Sequence, residues 1–566
     1  MQRLNPQDEY FLDTDTPTAP THIGGLEVYR LPPGAGRDFM QKLYTRLKNS
    51  PVRAEPFNYK LVTQEEPEPE KAPAAGGGLA WLRPAPAKKK AKKAKPQRAW
   101  EVLDEVNVED HLYLHALPRP GGQRELGELV SRLHVNRLDR SRPLWEMHLI
   151  EGLEGGRYAI YNKLHHSQFD GKRGMSLAHY TRSPKASTRG LPPIWSVDMA
   201  KVPKFDKPKP GAAATTEAPS KLEALASWGK ALSSMSQARK NKPGEGVIAP
   251  YSAPQTILNG PLTARRRLGT VSLPIPRMKA LGAAVEGGAT VNEILLAVCA
   301  GALRRYLLDR DALPSQPLIA ACPVAMPRKD DGASGNAVGQ ILVSLGTNIA
   351  DPKERLLAVV ASSKANKGLM KAIEGDAYAH YTELSMMPQV LAAKGGFGHK
   401  VLNANLVISN VPGPREAQYT NGALLESMYA ASLLLSGQAL NITVSNFGDN
   451  LDMGILACPD LCPSPQKIAV HAGEELAILE RAMGLKAPVR KAAAKKAARK
   501  AAVAGKPAAK KAAAKKVVTK KAAAKKVAAK KAPPVKAVAK KVVVKKAAAK
   551  KVVARKAAAG KRKAAR

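Results

Sequence analysis

Cysteine is scarce in this chain: Cys299, Cys322, Cys458 and Cys462 are the only four in 566 residues. That excludes a disulfide scaffold, and with no His or Cys cluster beside the last pair no metal site is expected. Long apolar runs are missing too. The longest, such as Ile294 to Leu303, is about ten residues, against the roughly 20 that a bilayer span requires. Met1-Gln2-Arg3-Leu4-Asn5 leads into polar and acidic residues without an apolar stretch of about seven, so no secretory signal is expected. A reducing cytoplasm is the expected compartment. Acidic side chains are absent from two stretches: residues 486–566 hold 31 basic residues and no acid, and residues 88–98 hold 7 basic residues and no acid. The remainder is nearly balanced, 52 basic against 47 acidic, although the whole chain carries a net charge of +43. The charge therefore describes two low-complexity segments attached to a near-neutral globular body.

That body is long enough for two domains of common size. In the first, residues 1–206, short apolar runs alternate with turn signals, and Gly156 to Leu164 reads as a strand running into a pair of histidines. An insertion at 72–98, with Gly-Gly-Gly, several prolines and Lys88 to Lys95, cannot bury enough apolar area to order itself. A connector, 207–249, carries Leu222, Leu225, Trp228, Leu232 and Met235 at helical spacing behind Ser220 as N-cap. It reads either as a helix docked on the body or as one lying in a lipid interface. In the second domain, 250–485, Thr290 and Glu293 form a capping box for a helix over Val291 to Leu308. Strands are expected at Leu318–Val324, Ile341–Leu345, Asn405–Ser409 and Leu440–Asn446, the last turning at Gly448-Asp449-Asn450 into Leu451–Ala457. The fold class is α/β (α+β).

The sharpest local signal is His165-His166-Ser167-Gln168-Phe169-Asp170-Gly171. Adjacent side chains on a strand point to opposite sides, so one imidazole faces a cleft and the other supports it. A neutral imidazole near pKa 6.5 can take a proton from a hydroxyl and return it to a leaving group. By spacing alone a structural reading stays open, and adjacent histidines lack a chelating spacing for metal.

The same seven residues resemble the HHxxxDG motif of CoA-dependent acyltransferases. Pro6 to Leu12, Leu138 to Glu146, Glu151 to Arg157, Leu258 to Pro261, Thr290 to Glu293, Gly335-Asn336 and Ser409 to Pro414 follow, in order, the pattern of the bacterial wax ester synthase/diacylglycerol acyltransferase family. The resemblance spans about residues 4–480 and departs at Glu293, where the family has Asp, and at Ala325, where it has Ser. It implies two chloramphenicol-acetyltransferase-like domains with a tunnel between them. It implies His166 as general base, His165 beside it, Asp170 as a structural support paired with an arginine, Gly171 closing the motif, and Asn292 either near the site or capping its helix. Ser409-Asn410 opens a motif read as structural, Pro412-Gly413-Pro414 fixing a tight turn. Acyl-CoA would be a co-substrate, with no bound cofactor, and diacylglycerol or a long-chain alcohol the acceptor.

The tail repeats a lysine pair every five residues, from 510/511 to 550/551, an advance of about 140° round a helix, so no apolar face forms. It is expected to be disordered. It has no Trp, Tyr, Phe, Asn or Gln with which to stack on or read bases. It resembles linker-histone tails, which implies sequence-independent contact with polyanions: nucleic acid, polyphosphate or an anionic membrane or lipid-inclusion surface. Two other readings stand beside the acyltransferase: a polyanion-binding tether on a lapsed acyltransferase body, and an acyltransferase with another alcohol acceptor, such as a glycolipid or polyketide alcohol. The intact histidine pair favours an active enzyme.

Overall fold

The computed structural model describes residues 2–64, 97–169, 171–198, 221–241, 246–325, 338–373 and 376–485. Asp170, Gly335-Asn336, most of the basic insertion and the lysine-rich tail lie outside them. In the first half, chain order runs β1 (Gln2–Arg3), α1 (Pro6–Thr14), β2 (His22–Arg30), α2 (Phe39–Lys48), β3 (Tyr59–Gln64), β4 (Gln97–Val102) and β5 (Leu112–Ala116). It continues through α3 (Gln123–Val135), β6 (Trp145–Leu153), β7 (Arg157–His165) and α4 (Gly171–Tyr180). Gln97 and Arg98, which the sequence reading assigns to the insertion, belong to β4, where they pair with Gln64 and Thr63.

The connector holds α5 (Lys221–Ala238). The second half begins with β8 (Arg267–Pro274), α6 (Ile275–Ala284), α7 (Val291–Leu308), β9 (Ile319–Ala325), β10 (Val338–Ser344), α8 (Pro352–Ala372) and α9 (Asp376–Lys394). It ends with β11 (Leu406–Val411), β12 (Tyr419–Thr420), β13 (Ala423–Ala431), β14 (Leu440–Phe447), β15 (Asn450–Ala457) and α10 (Gln466–Ala482). The expected capping box is present: Thr290 N donates to Glu293 Oε2 at 2.8 Å and Glu293 N to Thr290 Oγ1 at 3.3 Å.

Two six-stranded mixed sheets organise the body, in the orders β12-β13-β2-β7-β6-β5 and β10-β9-β11-β14-β15-β8. The second sheet is buried under α7, α8 and α10 by Ile294, Leu296, Val298, Leu303, Val359, Ile442, Val444 and Leu476. The first is not made of first-half residues alone. β13 crosses over and pairs antiparallel with β2, from Leu424 opposite Arg30 to Ala431 opposite Gly24. Where β13 meets β15, Gly454 is required, because a Cβ there would stand 1.8 Å from the carbonyl oxygen of Ala430. Apolar residues of both halves, among them Ala159, Tyr161, Leu268, Ala431 and Leu456, close one shared cluster. α5 is docked on the body: Trp228 stacks on His380 of α9 with ring centroids 4.1 Å apart, and Ala238 is buried.

Candidate active site

β7 ends at His165, opposite His22 of β2, and the chain turns at once, with Gln168 N and Phe169 N both donating to His165 O. Phe169 anchors this turn in the core, buried against Phe57 with ring centroids 4.9 Å apart. α4 starts at Gly171, directly behind the motif.

The two imidazoles separate as the strand geometry requires. His165 is 2 % exposed and held at both nitrogens. Its Nδ1 accepts from Ser167 N at 3.2 Å and lies 2.7 Å from Ser167 Oγ. Since Thr21 Oγ1 already donates to Phe11 O, its contact with His165 Nε2 at 3.2 Å makes Nε2 the protonated nitrogen. Burial, outweighing the neighbouring Asp15, keeps His165 below the ordinary imidazole pKa and therefore neutral. His166 points the other way, half-buried, with its ring stacked on Phe11 at 4.3 Å and 12°. Its backbone N–H donates to Thr21 O at 3.0 Å. Phe11 belongs to α1, which Asn5 caps by accepting from Asp8 N at 2.8 Å.

The segment 15–21 therefore grips both histidines. Its key group is Asp15, which the sequence reading does not single out. Asp15 Oδ2 lies 3.8 Å from His165 Nε2 and accepts from Arg137 at 2.7 and 3.0 Å and from Arg140 at 3.1 Å. Its other oxygen accepts from Thr21 N at 3.2 Å. Burial alone would raise its pKa, but the contacts from His165 and Arg137 more than offset this and hold the carboxyl well below the usual range. The one signal in the sequence is the excess of guanidiniums at Arg137, Arg140 and Arg142 over the single nearby carboxylate, Asp139, which pairs with Arg142.

Trp145 and Glu146, beside them in the chain, brace the strand from below. Trp145 Nε1 donates to Phe57 O at 2.9 Å, and Glu146 holds the fully buried Lys163 ammonium at 3.1 Å. Asn292 takes the second position of α7, on the layer above the second sheet. The cap there is formed by Thr290 and Glu293, so Asn292 is not the capping residue. The longer Glu293 side chain also reaches Lys367 at 2.8 Å. Asn410 sits near the end of β11 with a buried Oδ1 that has no hydrogen-bond partner among the described residues. After it the chain packs closely on β14, since a Cβ on Gly413 would meet Asn446 O at 2.1 Å, and residues 412–414 form no assigned turn. No group of three or more His, Cys, Asp or Glu side chains among the described residues is arranged to hold a metal ion.

Comparison with known proteins gives the same ordering of parts. The pattern of the wax ester synthase/diacylglycerol acyltransferase catalytic domain matches residues 4–70 and 78–295, and that of the family's C-terminal domain matches residues 334–480. The pattern of a histone H1-like nucleoprotein matches residues 463–566. A Mycobacterium tuberculosis protein named probable diacylglycerol O-acyltransferase is 36 % identical over 86 % of this chain and all of its own length. The O-acyltransferase WSD of Acinetobacter baylyi is 32 % identical over 87 % of this chain and all of its own length. The solved wax ester synthase/diacylglycerol acyltransferase of Marinobacter aquaeolei superposes with a TM-score of 0.64 at 32 % identity, covering 86 % of this chain and 100 % of that one. With the histidine pair, its bracing strands and both catalytic and C-terminal patterns in place, the chain belongs to the wax ester synthase/diacylglycerol acyltransferase family.

Proposed function

We propose that this protein transfers a long-chain acyl group from CoA to the hydroxyl of diacylglycerol or of a fatty alcohol, with His166 as general base. The observation that carries the reading is the division of labour at the motif. Both nitrogens of His165 are engaged in the interior, whereas His166 is turned away from it against Phe11. His166 takes the hydroxyl proton as the oxygen attacks the thioester carbonyl, the C–S bond breaks, and the departing thiolate receives that proton. His165, neutral and fixed, holds the backbone of its neighbour. Asp170 keeps its place as a structural support in this scheme, and Asn292 stays a possible contributor from α7. Direct transfer fits the cysteines. All four are buried, and burial raises Cys322 to about 12 and Cys462 to about 11, so neither offers a thiolate for an acyl-enzyme. Acyl-CoA serves as co-substrate and no bound cofactor takes part.

No helix among the described residues is long and apolar enough to cross a membrane. Peripheral contact with a membrane or lipid inclusion is supported by Leu232 of α5 and Met387 and Leu391 of α9, which stand 57, 48 and 62 % exposed. The basic tail adds a contact with polyanions, supported by its likeness to a histone H1-like protein. The test is thiol release from palmitoyl-CoA with hexadecanol and dioleoylglycerol offered separately. His166→Ala should lower the rate with either acceptor by about 10² to 10⁴. His165→Ala should act mainly through stability. A dead His165 variant beside a nearly intact His166 variant would reverse the assignment.

A further inference from the structure

Arg265, Arg266 and Arg267 follow one another at the entry to β8. Successive side chains on an extended segment diverge, and the first two take opposite roles. Arg265 is exposed and ion-paired with Asp460, whereas Arg266 turns inward and is 4 % exposed. Among the described residues, Arg182 and Arg355 are buried to a similar degree, and each faces a carboxylate, Glu27 and Glu475. Arg266 meets no carboxylate among the described residues; its contacts are three carbonyl oxygens. Burial lowers its pKa only to about 10, so it is charged at neutral pH. Burying a guanidinium without a counterion is costly, and what it holds has to repay that cost.

Two of the contacts are local. Arg266 Nη1 donates to Thr263 O at 2.6 Å and to Arg265 O at 2.8 Å, which fixes the plane of the guanidinium and aims Nη2 at Thr18 O, 2.7 Å away. The backbone behind it is itself anchored, because Leu268 N donates to Ser131 Oγ of α3 at 3.0 Å. Thr18 lies in the middle of the segment 15–21 that grips both histidines. Residues 16–19 close on themselves, Thr16 N donating to Ala19 O at 3.2 Å and Ala19 N to Thr16 O at 3.1 Å. Arg137 and Arg140 hold the segment at Asp15, and Thr21 meets His165 and His166 at its other end. Arg266 supplies the hold between them, and it comes from the second half of the chain. We propose that Arg266 is a positioning residue for acyl transfer, clasping Thr18 O so that the placement of His166 depends on the docking of the second half against the first. The proposal rests on His166 as the general base.

The experiment compares the full-length protein with its Arg266→Met variant, thiol release from palmitoyl-CoA being measured with hexadecanol as acceptor. Methionine keeps an unbranched stem and removes the charge together with its burial cost, and the exposed Thr18 can offer its carbonyl to water. The melting temperature should therefore move by less than about 3 °C. kcat should fall about tenfold while KM stays within about twofold, since the loss is one of geometry at the reacting centre. Backbone amide exchange should quicken in peptides covering residues 15–21 and 165–169 and stay as in wild type across α7. Asp15→Asn releases the same segment, so the double variant should lose about 10- to 20-fold in kcat rather than the roughly 100-fold of independent effects. Arg266→Lys, which keeps the charge and a donor for Thr18 O, should recover to within about threefold of wild type. Should Arg266→Met not fold, the lysine variant decides: a kcat about threefold down at wild-type KM supports the proposal, and full kcat refutes it. An inactive His166→Ala beside a fully active Arg266→Met would sink this proposal alone, whereas near-wild-type turnover by His166→Ala would sink the assignment of the base. Unchanged kcat, a change confined to KM, multiplicative losses in the double variant, or faster exchange throughout the protein would overturn the proposal.

Discussion

Replacing Asp15 by Asn keeps the shape of the side chain and removes its charge. The carboxylate is 3 % exposed, and it faces two guanidiniums that are 33 and 34 % exposed. Breaking one side of a fully buried pair costs about 3–5 kcal/mol. Here water can reach the arginines left behind, so about 2 kcal/mol is expected. At roughly 2–4 °C per kcal/mol the melting temperature should fall by about 5 °C. Activity should fall about tenfold, because the amide no longer fixes the segment that grips both histidines and small misplacements at a reacting centre are costly. The pH dependence is the sharper test. The unfolded carboxyl titrates near 3.8 and the folded one lower, so the stabilisation is complete well above pH 4 and lost as pH falls through the folded value. The stability difference between wild type and Asp15→Asn, followed by urea unfolding, should therefore be flat from pH 8 to 5 and narrow only below about pH 4. A difference that grows on going from pH 8 to 5.5 would mean that Asp15 is paired with a charged His165, whose contribution disappears as pH rises. That result would refute the neutral ring inferred from Ser167 and Thr21.

Three further outcomes follow from the same structure. His134, driven by burial to about 3, and His22, also held low by burial, are neutral when folded and charge when unfolded, so stability should decline as pH falls below about 6.5, by urea denaturation. Gly454→Ala places a methyl group against Ala430 O and should destabilise by about 2 kcal/mol or more, read as a lowered urea midpoint with a folded-state spectrum otherwise retained. Truncation after Leu485 should leave turnover on detergent-dispersed substrates unchanged. It should also remove most of the salt-dependent binding to DNA and anionic vesicles, since each neutralised phosphate adds roughly 0.9 to the log-log slope on duplex DNA; equal slopes for both forms would place polyanion binding on the body.

Features written into a local stretch were legible before the fold was known. The helix over Val291–Leu308 was readable because Thr290 and Glu293 sit three residues apart and do all the capping themselves. The strand leading to His165 was readable because its polar turn and apolar run are contiguous. The clamp on the histidines was not, because its parts are scattered: Asp15 and Thr21 follow α1, Arg137 and Arg140 follow α3, and only the fold brings them to one place. Asp15 is one of several acids in an exposed-looking stretch, and nothing local distinguishes it. The crossing of β13 was hidden for a related reason. Its mixture of buried and half-buried residues suits either sheet, and the choice is made by pairing with β2, almost 400 residues earlier in the chain.

That crossing bears on how the protein is made. In the finished fold β2 has β7 on one side and β13 on the other, and β13 is translated more than 250 residues after β7. At bacterial and eukaryotic elongation rates the wait is about 15–50 s, during which the first sheet has an open edge along β2. Unpaired edges recruit other chains. β2 is poorly suited to such recruitment: Gly24 and Gly25 offer no side chains to pack, and Glu27 puts a carboxylate on the inward face. The buried charge that pairs with Arg182 in the folded protein thus also protects the nascent chain before its last partner strand has been translated.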